Sequence, residues 1–289
     1  MLGRLIAYDF KALGRSLLLV QLLVLLVALG TTAALTLYLR SMAGAVNGAS
    51  AERMMQIAGV LIVLVTMLFI AALLASSFVT LFLVARHFYK NLLGDEGYLS
   101  FTLPVTVAQH IAAKTISGLI WVLFNGVVVT LSIGVLVYFG TAQAGLINSE
   151  VLHITDEMFR QFVANNGLLL FAELPVYAFV GAINQLLLVY FAIAAGAALA
   201  NKHKVAIAVL IYLGAGFVAN IVSSVAQAIA GAVAVNSADF IAFAYTGDFH
   251  GLIAYYQVTF LAITIVSALL IVVYYALTHY LLSNRLNLE

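Results

Sequence analysis

Most of the residue arrangements that do covalent chemistry are missing from this chain, and the few polar groups that remain are of a different kind. It contains no Cys, which removes thiolate catalysis, disulfides and Cys-ligated metals. Its His, Asp and Glu residues form no H-E-x-x-H or other paired ligand spacing, Asp248-x-His250 being the nearest approach, so no metal is expected. None of the five lysines completes a G-x-x-x-x-G-K-[ST] phosphate loop, and no G-x-S-x-G elbow presents a serine nucleophile. The chain is therefore read as a non-enzyme without a cofactor of its own. What is left is a carboxylate, Glu173, beside Pro175; six amides embedded in apolar runs, Asn125, Asn184, Gln185, Asn220, Gln227 and Gln257; and one dense segment of charge and aromatics between Arg86 and Thr106.

An amide facing lipid costs free energy, so each of the six should face another helix, a partner or a water-filled path. Interhelical hydrogen bonding is the first expectation for any one of them, and lining a translocation path is the second. A carboxylate in a membrane helix suggests proton coupling. If the helix is continuous to Asn201, however, a rise of ~1.5 Å per residue puts Glu173 about 42 Å from that end, beyond the midplane. With Pro175, Glu173 is expected to mark a kink or break where an outer amphipathic segment joins the span.

The elements that carry these groups follow from composition. Of 289 residues, 65% are apolar or aromatic and only 8% charged, with a mean hydropathy of +1.16. A soluble domain needs roughly a quarter of its residues charged, so a water-soluble globular enzyme is excluded. A net charge of +1 gives nucleic acid nothing to recognise. Uncharged runs at 16–39, 54–85, 115–149, 174–201, 205–238 and 249–284 each exceed the ~20 residues that a crossing helix needs. The expected fold is all-α and polytopic, one domain over 1–289, with spans near 17–39, 57–85, 115–139, 174–200, 205–235 and 253–282. Residues 2–15 are expected to form a separate interfacial helix with Arg4, Tyr8, Lys11 and Arg15 on a basic face. Val151, Ile154, Met158 and Phe162 recur at helical spacing, which predicts a short outer helix, packed as a lid over the exit of a dimer. Small residues at every fourth position, Gly126, Thr130 and Gly134 on the third span and Ala192, Gly196 and Ala200 on the fourth, suit close helix packing.

Orientation comes from the basic residues. With both termini inside, Arg4, Lys11, Arg15, Arg86, Lys90, Lys114, Lys202, Lys204 and Arg285 are cytoplasmic, and only Arg40, Arg53 and Arg160 lie outside. The segment from Arg86 to Thr106 then faces the cytoplasm and is the sole docking element of useful length. Gly94 should end the helix leaving the membrane, and Thr106 with Gln109 forms a capping box that opens the next.

The stretch from Phe88 to Val105 resembles a loop close to R-F-Y-K-N-L-x-G-D-E-G-Y-L-x-F-T-L-P-V that follows the second span in permease subunits of ATP-binding-cassette (ABC) type-2 exporters. The likeness is to a small-subunit group common in Gram-positive bacteria; it covers about twenty residues and departs at His87, which stands beside Arg86 like an insertion. It implies a six-helix permease in the bacterial plasma membrane, with a cytoplasmic coupling helix in this loop. A dimer of permeases, of like or paralogous copies, would dock on two ATPase subunits that hold ATP and Mg. The coupling residues would be Phe88, Tyr89, Lys90, Asp95, Glu96, Tyr98, Phe101 and Pro104. Their types suit it, because Asp95 and Glu96 can pair with a basic groove and the aromatics are anchors of the kind enriched at interfaces. The cargo implied is a hydrophobic or amphipathic compound such as a peptide or antibiotic, moved outward. Two rival expectations stand beside this one: an ion-coupled secondary carrier, if Glu173 or the amides bind an ion, and, more remotely, an integral-membrane enzyme acting on lipid.

Overall fold

The computed structural model describes residues 2–43, 49–94, 97, 102, 104–144, 149–200, 202–236 and 249–284. Among them the chain is all-α: α1 (Leu2–Ala43), α2 (Ala49–Leu92), α3 (Val107–Gln143), α4 (Ser149–Ala164), α5 (Leu168–Leu199), α6 (Lys204–Val235) and α7 (Phe249–Asn284). All but α4 are long and apolar enough to cross a membrane, and each expected span falls within one of those six to a residue, 174–200 ending one position past Leu199. The protein is membrane-embedded. Its helices carry large apolar side chains outward as well as inward, for example Leu61, Leu64, Leu68 and Phe78 on α2, far more than a water-facing surface tolerates.

Residues 2–15 are helical but not a separate element. Nothing between Arg15 and the first span stops a helix, so they form the N-terminal turns of α1, which runs unbroken for 42 residues. Pro175 likewise causes no break, lying inside α5 near its N-terminal end. The break falls at Asn165–Gly167, between α4 and α5.

The chain forms two compact units. One comprises Met1–Lys11, Val84–Ile120 and Asp156–Glu289, where α5 packs on α6 and α7, and α6 on α7. Gly196 explains how α5 and α6 come so close, since a Cβ there would stand 2.7 Å from the backbone nitrogen of Ala208. The small residues of the fourth span therefore pack as expected. Gly196→Ala should lower the unfolding free energy by about 1–3 kcal/mol, because the obstacle is backbone that cannot swing aside. Gly181→Ala, with open space around its Cβ, should leave it unchanged or raise it; thermal unfolding in detergent measures both.

The other unit comprises Ala12–Leu83 and Trp121–Thr155. Its core joins Val24 and Ala28 of α1, Phe69 and Leu73 of α2, and Val128 of α3. On the part of α3 that belongs to this unit the buried positions are Trp121, Asn125, Val128 and Ser132. That rotation turns the expected Gly126–Thr130–Gly134 stripe away, and a Cβ at Gly126 or Gly134 would touch nothing within 4 Å. Many hydroxyls in the helices bond backward to their own backbone: Thr32 donates to the Ala28 carbonyl at 2.8 Å, Thr66 to Ile62 at 2.8 Å, Thr264 to Phe260 at 2.8 Å and Thr278 to Tyr274 at 2.6 Å.

Candidate functional site: a buried ionic cluster at the stem of the α2–α3 loop

Asp9 lies one turn before Leu13 and two before Leu17 on the inward stripe of α1, and it is 1% exposed. It is there because hydrogen-bonding nitrogens meet it from two other helices. Lys114 of α3, itself buried, donates from Nζ to Asp9 Oδ1 at 2.7 Å. His87, near the end of α2, brings Nε2 to the same oxygen at 2.8 Å. The Lys114 ammonium is 3.3 Å from that ring nitrogen. One nitrogen cannot both donate to a carboxylate and accept from an ammonium, and the shorter contact assigns the Nε2 proton to the bond with Asp9. Asp9 Oδ2 is buried with no hydrogen-bond partner. The cluster holds three proton-exchanging groups and no poised nucleophile. It joins three helices.

The same place is locked to α5. Phe88, next to His87, is fully buried and stacks on Tyr190 with centroids 4.1 Å apart and planes 9° off parallel. The Tyr190 hydroxyl donates to the Lys114 carbonyl at 3.0 Å. One turn past Lys114, Gly118 makes room, since a Cβ there would lie 2.8 Å from Val84 and 3.1 Å from that hydroxyl. Asp9, His87, Lys114 and Tyr190 thus join the ends of α1, α2 and α3 to the middle of α5.

The loop leaves this stem as the sequence leads one to expect. After Leu92, the amides of Leu93 and Gly94 both donate to the Tyr89 carbonyl at 2.9 Å, ending α2. At the far side Thr106 N–H donates to Gln109 Oε1 at 3.1 Å, and Gln109 N–H to Thr106 Oγ1 at 3.3 Å, the reciprocal capping box that starts α3. Of the coupling residues, Lys90 and Pro104 are exposed and Tyr89 is half-buried. Phe88 is a packing residue, with its ring against Tyr190 instead of facing outward as an anchor. Asp95, Glu96, Tyr98 and Phe101 lie outside the described residues.

The six amides are dispersed. Asn125 is buried in the α1–α3 unit, where it accepts from Gln21 Nε2 at 3.0 Å and donates to Ser77 Oγ at 3.2 Å, so its role there is to bond helices together. Gln185 of α5 donates to the Tyr212 hydroxyl of α6 at 2.6 Å. Asn184 keeps a buried Oδ1 with no hydrogen-bond partner. On α6, Asn220 donates to its own helix at the Gly216 carbonyl, and both Asn220 and Gln227 are exposed. Gln257 of α7 is half-buried. Glu173, early in α5, has a buried Oε2 with no hydrogen-bond partner.

No family model, curated protein or solved structure matches this chain. The ionic cluster and the loop it frames are thus the observations from which function is read. The cluster went unnoticed in the sequence, though it left a signal: Asp9 is the sole acidic residue before Glu52, on the same face as Leu13 and Leu17, and Lys114 heads an uncharged run. An acid placed on an apolar stripe implies a cation to meet it.

Proposed function

We propose that this chain is the transmembrane permease subunit of an ABC type-2 exporter in the bacterial plasma membrane, with both termini cytoplasmic. It would pair with a second permease and move a hydrophobic or amphipathic compound outward, while separate ATPase subunits bind ATP and Mg. The observation that carries this reading is the frame around the Phe88–Val105 loop. His87 stands at its entrance, Lys114 lies two turns beyond its exit, and Asp9 holds both, with Phe88 seated on Tyr190. A push on Asp95–Pro104 would reach α1, α2, α3 and α5 together, which is what a coupling element has to do. ATPase closure would then tilt these helices between two arrangements.

The test is capture of the detergent-solubilised chain from its own membranes. Recovery of an ATPase bearing a phosphate loop supports the reading, and transport that persists after nucleotide depletion rejects it. For orientation, reporter fusions after Lys90 and Glu289 should score cytoplasmic, and those after Asn47 and Asp156 external. An external score at Lys90 would put the loop on the wrong side for ATP.

One observation favours a second reading, an ion-coupled carrier. Glu173 and Asn184 share a face of α5, and each has a buried oxygen with no hydrogen-bond partner. If that reading holds, Glu173→Gln abolishes gradient-driven transport and nucleotide depletion leaves it intact.

A further inference from the structure

In α4 the residues divide cleanly around the helix. Val151, Leu152, Ile154, Met158, Phe159, Phe162 and Val163 cover one side, and His153, Asp156, Glu157, Arg160 and Gln161 the other. Leu152, Ile154, Met158 and Phe159 are 57%, 53%, 48% and 54% exposed, so the described chain leaves the apolar side largely uncovered.

The exit from α4 fixes where that side lies. Asn166 adopts the left-handed conformation at φ 61°, the Gly167 amide donates to the Phe162 carbonyl at 2.8 Å, and the Asn166 amide to Val163 at 3.2 Å. These are the two bonds of a Schellman turn. Phe162 packs edge-on against Phe171 at 5.6 Å, and a Cβ on Gly167 would come within 2.5 Å of the Phe162 ring. The turn holds the end of α4 beside the first turns of α5, where Leu168, Leu169 and Phe171 are exposed on a membrane-crossing helix. The apolar side of α4 is continuous with a surface that faces hydrocarbon.

We propose that α4 is an interfacial helix lying in the lipid headgroup layer, on the side of the membrane opposite the α2–α3 loop, with its apolar side in the acyl boundary. The lid expected from the sequence would instead need a second copy to cover it. Charge narrows the lipid: α4 carries Glu150, Asp156 and Glu157 against Arg160 alone, and Arg160 engages Asp156 at 3.0 Å, so the net negative helix favours neutral zwitterionic headgroups over anionic ones. This holds whether the chain is driven by an ATPase or by an ion.

The absence of Cys makes a direct test possible, because single cysteines can be labelled without removing others. Leu152→Cys and Phe159→Cys on one side, and His153→Cys and Glu157→Cys on the other, would carry spin labels in the full chain in phosphatidylcholine nanodiscs. Collision with lipid-soluble oxygen is compared with collision with a water-soluble nickel chelate. The expected ratio of oxygen to chelate accessibility is several-fold higher at 152 and 159 than at 153 and 157. Labels at 152 and 159 shielded from both reagents would mean that protein covers this side, and labels open to the chelate would mean that the helix stands in water; either overturns the proposal. Enriching the nanodiscs in phosphatidylglycerol should lower the ratio at 159, and a rise would overturn the preference for neutral lipid.

Discussion

Asp9→Asn is expected to lower the unfolding free energy by about 3–5 kcal/mol, the cost of leaving a buried cation without its counter-ion. Lys114, side chain 5% exposed, would then face a neutral amide in place of the carboxylate at 2.7 Å. Lys114→Met should cost a similar amount for the converse reason. The double variant, which removes both charges, should recover most of the loss, because two neutral side chains in this place need no mutual compensation. Unfolding in detergent micelles measures the cycle. The exposed Arg160–Asp156 pair, at 73% and 60% exposure, is the control, and breaking it should cost about 0–1 kcal/mol. If the single variants at Asp9 and Lys114 behave like that control, the cluster is solvated and joins nothing.

The second large effect tests the proposed coupling. Replacing Asp95 and Glu96 together by Lys would set like charges against the basic groove that the exporter reading assigns to a partner ATPase, weakening association by several kcal/mol. Insertion should survive, since Asp95 and Glu96 fall between the second and third expected spans, outside the hydrocarbon. Transport and substrate-stimulated ATP hydrolysis should then fall together at normal expression. An ion-driven carrier has no reason to respond this way. Full transport by the Asp95→Lys, Glu96→Lys variant would remove the loop from the mechanism.

What could be read from the sequence was local. Six spans, the stop at Gly94, the Thr106–Gln109 capping box and the amphipathic helix at 149–164 each depend on residues a few positions apart. The cluster depends on partners 78 and 105 positions apart, and no local period says which helices will meet. Asn125 shows the same limit. Its residue type required a polar partner, but that the partners are Gln21 and Ser77 follows from how α1, α2 and α3 pack. That Phe88 is buried on Tyr190 could not be read beforehand, because aromatics in a loop motif look alike whether they face a partner or a neighbouring helix. The rotation of α3 likewise depended on what its polar residue met, and small residues alone did not reveal it.

The backward-bonded hydroxyls of Thr66 and Thr264, both only half-buried, change what the bilayer encounters. A hydropathy scale counts each threonine as a group still owed a hydrogen bond, whereas here the proton is already given to a carbonyl one turn back. To acyl chains these helices behave more like valine-rich segments than their composition suggests, and the threonines raise little barrier to insertion. Among the described residues, buried oxygens still without a hydrogen-bond partner sit on Asp9, Gln21, Thr80, Ser132, Glu173 and Asn184, and mutations there will be felt by neighbouring helices while substitutions of the backward-bonded threonines will be felt less.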